Sequence, residues 1–229
     1  MSQLPGMTTR SIEHRRYVIN HHPLVHGADA IVDRQARSPR APAFRILEGT
    51  VIVRVPRAYA FVDATDPRGA RCTPAEVVAI QPADAAWANT QVTISLSAGL
   101  GFVVPLDAQA TTTPAVIDQL NRNAQFAAHF LASDLNGAVR IRTREAGAHK
   151  HVLVQSTLPA AFGPIGVAGA GTDADYRVTD ATVEVRDLEG NPIEVLVPTL
   201  LVAHFDESEL LSLTAEARAV FARRGSFFG

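Results

Sequence analysis

Cysteine occurs once in this chain of 229 residues, at Cys72, and lysine once, at Lys150. A single thiol excludes an intramolecular disulfide and any multi-cysteine metal site, so stability is expected from packing alone. Charge excess is also lacking. The 21 basic and 23 acidic residues leave a formal net charge of -2, which excludes a chain-wide pull toward nucleic acid or an anionic membrane. No apolar run approaches the ~18 residues of a bilayer-spanning helix, and the N-terminal stretch lacks the charged-then-apolar order of a secretory signal. A soluble protein made in a cytoplasm is expected, with no membrane partner and no specific nucleic acid. Aromatics are few: one tryptophan, Trp87, and three tyrosines offer little for the aromatic groove of a glycan-binding adhesin.

What remains is ordinary globular material, 47% hydrophobic and 19% charged, enough to build a core. The length suits one large domain or two small ones, and two modules are expected. The fold class reads as α+β, mainly β. Residues 1–42, rich in histidine and arginine and without sustained periodicity, read as an extended N-terminal arm, with a short strand conceivable near Arg16 to Ile19. Residues 43–96 read as a β-rich module, barrel or sandwich, whose strands are punctuated by Pro56, Pro67, Pro74 and Pro82. Residues 97–160 read as a β-α-β-β module, its helix capped at Thr113 with Pro114 in the first turn. There, 138–143 and 150–155 are expected to pair. Residues 161–229 read as a glycine-rich loop, a β-hairpin across Asp187 to Pro192, and a C-terminal helix from near Asp206 that completes the β-rich module.

No catalytic set converges in the sequence, and no cofactor or metal is expected. His21, His22 and His26, with His149 and His151, could place imidazoles together, yet no carboxylate or thiol stands at a supporting spacing, and exposed or interface histidines are the simpler reading. The Gly163 to Gly171 run has no lysine-led pair to make a phosphate loop of it. Cys72, between Arg71 and Thr73, has no neighbouring activator and reads as a spectator. The acidic groups Asp173/Asp175 and Asp206/Glu207/Glu209 lack a full calcium-loop spacing and read as turns and caps. Arg140, Arg142 and Arg144 alternate on one expected strand, putting three guanidinium groups on one face. That face is either solvated or meets an acidic surface of a partner protein.

Two stretches carry a family likeness. The segment Phe44 to Pro67, with its Gly49-Thr50 turn into a strand and the Tyr59-to-Val62 return, resembles the head decoration (capsid cementing) proteins of tailed bacteriophages. The stretch Gln91 to about Ser156, through Leu120-Asn121, Phe126-Ala127-Ala128 and Thr143-Arg-Glu-Ala146-Gly147, resembles the small β-α-β-β modules inserted in tail sheath and flagellar hook-associated proteins. The first resemblance implies a non-enzymatic homotrimer on the virion surface that clamps neighbouring major capsid subunits through its arm, with Arg34, Arg37 and Arg40 as capsid-binding residues. The second implies a tail or neck component. A glycan-binding adhesin is a further alternative.

Overall fold

A computed structural model of the chain describes residues 17–38, 41, 44–56, 58–96 and 101–229, without the side chains of 20–23. Along the chain come β1 (Val18–His26), β2 (Ala30–Val32), β3 (Arg45–Ile46), β4 (Val51–Arg54) and β5 (Ala60–Asp63). They are followed by β6 (Pro74–Val78), β7 (Gln91–Leu96), β8 (Gly101–Pro105), α1 (Thr113–Arg122), α2 (Ala124–His129), β9 (Phe130–Leu135), β10 (Ala138–Ala146), β11 (His151–Ser156), α3 (Pro159–Phe162) and β12 (Val167–Ala170). The chain ends with β13 (Tyr176–Thr179), β14 (Val183–Glu184), β15 (Val195–Val197), β16 (Thr199–Phe205), α4 (Ala215–Arg223) and β17 (Phe227–Phe228). The architecture is mainly β, and no sheet closes into a barrel among the described residues. Two compact units result: one from the residues up to Ala70 together with Asp175–Gly229, the other from Arg71–Ala174. The boundaries expected at 96 and 160 are therefore displaced. β6 and β7 belong to the inserted unit because they pair with β10 and β11 inside it.

The first unit is an open sheet in the order β1-β16-β13-β4-β5-β2-β15, with β17 alongside β16. Neighbours are antiparallel except β2 with β5 and β17 with β16. Val51, Ile52 and Val53 are all fully buried, as a strand covered on both faces requires. Ile52 joins Val32, Phe61 and Val197 on one face. Val51 and Val53 stand opposite Val178 and Tyr176 on the other, and the Tyr176 hydroxyl donates to Glu216 of α4 at 3.0 Å.

Of the expected N-terminal arm, the part within residues 17–38 instead contributes two strands to this sheet, and residues 1–16 lie outside the described residues. β1 pairs with β16 and β2 lies between β5 and β15, burying Tyr17, Ala30, Val32, Ala36 and Ser38. The Tyr17 hydroxyl donates to Asp180 at 2.7 Å, and Ser38 Oγ lies 2.6 Å from Thr50 Oγ1. A three-residue strand is too short to display a period, and its partners lie far along the chain, so the segment looked unstructured. Three local readings also shift. The last helix begins at Ala215 under a Thr214 cap, because Asp206 accepts from Ser208 in a turn of its own. The hairpin keeps only its tip, since β14 pairs with β3 and β15 with β2. Tyr176 to Thr179, read as part of a glycine-rich loop, is the strand β13.

The second unit has two sheets, β6-β10-β9 and β12-β11-β7-β8. Their inner faces share one core: Val77, Ile141 and Phe130 from the first, Ile94, Val104 and Val154 from the second, and Leu120 and Phe126 from the helices. Trp87 meets Phe162 edge-on at 5.8 Å within it. β10 and β11, expected to pair, lie in different sheets; β10 pairs with β9 and β6, and β11 with β7 and β12. The glycine run serves close approach: a Cβ on Gly169 of β12 would stand 2.0 Å from the Glu76 carbonyl oxygen of β6. The α1 cap is Thr112, which frees Thr113 to accept from Ala83 N and to donate to the Gly137 carbonyl at 2.6 Å. Asn123 ends α1 and caps α2. Asn121 holds the open edge of β9 as a second strand would, its amide donating to Ala132 O at 3.0 Å and accepting from Ala132 N at 2.9 Å.

Two outcomes are expected. Deleting the residues before Pro42 should abolish the cooperative unfolding of the first unit, measured by thermal denaturation and limited proteolysis, since it removes β1 and β2. Asn121→Ala should destabilise the chain by roughly 1–3 kcal/mol in urea titration, because Ala132 loses both partners at a strand edge.

Candidate functional site

The inserted unit presents a built cationic face. β10 alternates, with Val139, Ile141 and Thr143 buried and Arg140, Arg142 and Arg144 on the outward side. The strand pairing sets their surroundings: Arg140 stands opposite Ser133 and Val78, and Arg142 opposite Leu131 and Glu76. Arg140 Nε donates to Ser133 Oγ at 3.0 Å and its guanidinium lies 3.7 Å from Glu76. Arg144 Nε donates to the Ala127 carbonyl at 2.6 Å. Arg142 has no hydrogen-bond or ion-pair partner among the described residues. A hollow of about 340 Å³ opens here, lined by Pro74, Leu131, Arg142, Thr143, Arg144 and Ala146. Beside it Lys150 pairs with Glu145, and that hydrogen bond holds the Glu145 carboxyl below its ordinary range. Glu76 thus stands opposite Arg142 and within 3.7 Å of Arg140, and Leu131 and Pro74 add apolar lining to the hollow beside Arg142 and Arg144. Such a surface recognises carboxylates through charge-assisted pairs.

The first unit carries a larger cleft, about 890 Å³, lined among others by Arg37, Phe44, Asp63, Asp66, Arg68 and Pro192. Arg68 ties its two walls together, pairing with Asp66 at 2.8 Å and Asp33 at 3.1 Å. The Arg68 hydrogen bond is the main reason the Asp66 carboxyl sits below its ordinary value, against a smaller opposing effect of burial. Asp63 is 5% exposed and accepts from Thr65 N at 2.8 Å, from the Thr65 hydroxyl and from the Ser212 hydroxyl. Its lone pairs are occupied by structure. Arg37 reaches the cleft with no partner among the described residues, whereas Arg34 is exposed in the turn after β2. Arg40 lies outside the described residues.

The other candidates take structural places. His21 and His22 fall among the side chains outside the described residues, and His26 Nδ1 lies 3.9 Å from Asp180. Only His151 of the second histidine pair is in a strand, since β11 begins there. Among the described residues no three metal-ligating side chains converge. Cys72 Sγ is 3.9 Å from Asp173 Oδ1 and accepts from Ala174 N at 3.4 Å. Asp175 pairs with Arg177 at 2.9 Å. Trp87 and Tyr176 are fully buried and Tyr17 is 3% exposed, so these rings serve cores rather than an open groove. Sequence reasoning located the arginine row and missed its floor, because Leu131 and Pro74 reach it only through strand pairing. The Asp66-Pro67-Arg68-Gly69 turn was a local signal for the cleft.

No known protein family matches the chain, and no curated protein matches it. Among solved structures it has a weak likeness to the crystal structure of the flagellar cap protein FliD from Escherichia coli. The TM-score is 0.37 at 10% identity, over 85% of this chain and 59% of that one. The chain thus spans less than two thirds of that protein's length.

The Asp66–Arg68 pair should give stability a definite pH dependence. Because the folded-state carboxyl titrates below its unfolded value of about 3.9, the pair stabilises fully above that value and is lost as pH falls through the folded-state pKa. Arg68→Met should therefore be less stable than the parent at pH 7 by a margin that shrinks toward pH 3, as read from denaturation midpoints.

Proposed function

We propose that the chain is a non-catalytic structural subunit of a tailed phage or phage-like particle, binding the outside of the expanded capsid and clamping neighbouring major capsid subunits. The observation that carries this reading is the arginine face of β10: three outward guanidinium groups, with Glu76 beside two of them and apolar lining from Leu131 and Pro74, on a rigid sheet. It is a surface for an acidic protein partner, and its geometry asks for no chemistry. Binding works by mass action, since a ligand of the expanded lattice alone stabilises that lattice by its binding free energy. The contact surface differs from the one the capsid resemblance implied. The described part of the segment read as an arm carries β1 and β2, so Arg37 in its cleft and the β10 face stand as the contact candidates.

A tail or neck component is the second reading, favoured by the inserted unit. Its Leu120-Asn121 pair, part of the likeness to sheath and hook-associated modules, has a definite job: Leu120 enters the core and Asn121 closes the β9 edge. The two readings differ in stoichiometry. Copies counted against the major shell protein in gradient-purified particles should number in the hundreds at a fixed ratio. A few to a few tens would select the tail or neck, and absence from particles would overturn both.

A further inference from the structure

The most exposed large apolar side chain among the described residues is Leu188, entirely open to solvent. It stands at the tip of the turn between β14 and β15, flanked by Asp187 and Glu189. The turn is rigid: Asp187 N donates to Asn191 O at 3.0 Å, and Asp187 Oδ1 accepts from Glu189 N and Asn191 N at 2.9 and 2.8 Å. The Asn191 amide is the main cause that keeps the Asp187 carboxyl below its ordinary range. Arg186 beside it is committed to the Phe44 ring, its guanidinium carbon 3.5 Å from the centroid. Glu184 is paired with Arg45. Glu194, near the base, is exposed. The tip is thus a preorganised apolar knob between two carboxylates.

The hollow on β10 has the complementary chemistry: an apolar floor from Leu131 and Pro74, a rim of Arg142 and Arg144, and about 340 Å³ of space. Arg142 is uncommitted among the described residues, and Arg140 is shared with Glu76 at 3.7 Å. We propose that copies of this chain associate head to tail, the Asp187-Leu188-Glu189 tip of one copy seating Leu188 in the Arg142/Arg144 hollow of the next. The tip and the hollow are different surfaces, so the contact is heterologous, and the rotation per step decides whether a ring or a filament results. A contact of one knob and one hollow is smaller than the usual stable interface of about 1,600 Å². Association is therefore weak and concentration-dependent, and on a particle it competes with an acidic capsid surface for the same arginine face. The rim charges make it salt-sensitive.

The test uses the purified full-length chain without particles, so it stands or fails separately from the particle assignment. Sedimentation velocity over a concentration series should show reversible self-association that weakens with added salt. Leu188→Ser should raise the dissociation constant at least about tenfold. Glu189→Arg alone, and Arg142→Glu with Arg144→Glu alone, should each sediment as monomers, with circular dichroism confirming the fold. Mixed together they should form a heterodimer, because the unaltered acidic tip of the hollow variant then meets the unaltered arginine hollow of the tip variant. A parent chain that stays monomeric throughout, variants that associate as the parent does, or a mixture that stays monomeric would each overturn the proposal.

Discussion

The first unit depends on three residues, Ala30 to Val32, threaded as β2 between β5 and β15. Without that strand the sheet loses the element that joins β15 to the remainder, and the cluster around Ile52, Phe61 and Val197 loses Ala30 and Val32. The pairing is also far from local, since Ile31 meets Leu196 and Val18 meets Phe205. Both ends of the chain must come together before this sheet exists, which makes it a fold of high contact order. The inserted unit, by contrast, uses one continuous stretch, Arg71–Ala174, and most of its pairings join near neighbours.

The same division of labour appears in the polar groups. Buried and half-buried polar side chains close structure: Tyr17 on Asp180, Ser38 on Thr50, Asp63 on Thr65 and Ser212, Asn121 on the edge of β9. Each satisfies a group that would otherwise be costly inside a core or hazardous at an edge. The groups left over lie outside, on the β10 face and at the Arg37 cleft.

Much of the local structure was legible. The β-branched run at Val51 to Val53 marked β4, the Gln91-to-Leu96 alternation marked β7, and threonine with proline marked the start of α1 within one residue. The arginine row on β10 could be placed on one face from its spacing alone, since the period of a strand is two. Its apolar floor could not, because Leu131 comes from β9 and Pro74 from β6, and nothing in the spacing announces which strands will flank β10.

By itself the sequence determined the class of the protein: a packed, disulfide-free chain, mainly β, with an alternating cationic strand and turns at Asp187 to Asn191. These follow from composition and short-range periodicity, which act over a few residues. Tertiary structure alone decided that residues 18–26 and 30–32 are sheet rather than arm, that β10 and β11 part company, and that Gly169 of β12 lies pressed against Glu76. Each of those outcomes turns on a contact with at least one partner far along the chain, β16 for β1, β6 for β10, β7 for β11 and Glu76 for Gly169. The free energy of such a contact resides in the partner as much as in the segment, so the segment's own residues do not disclose it.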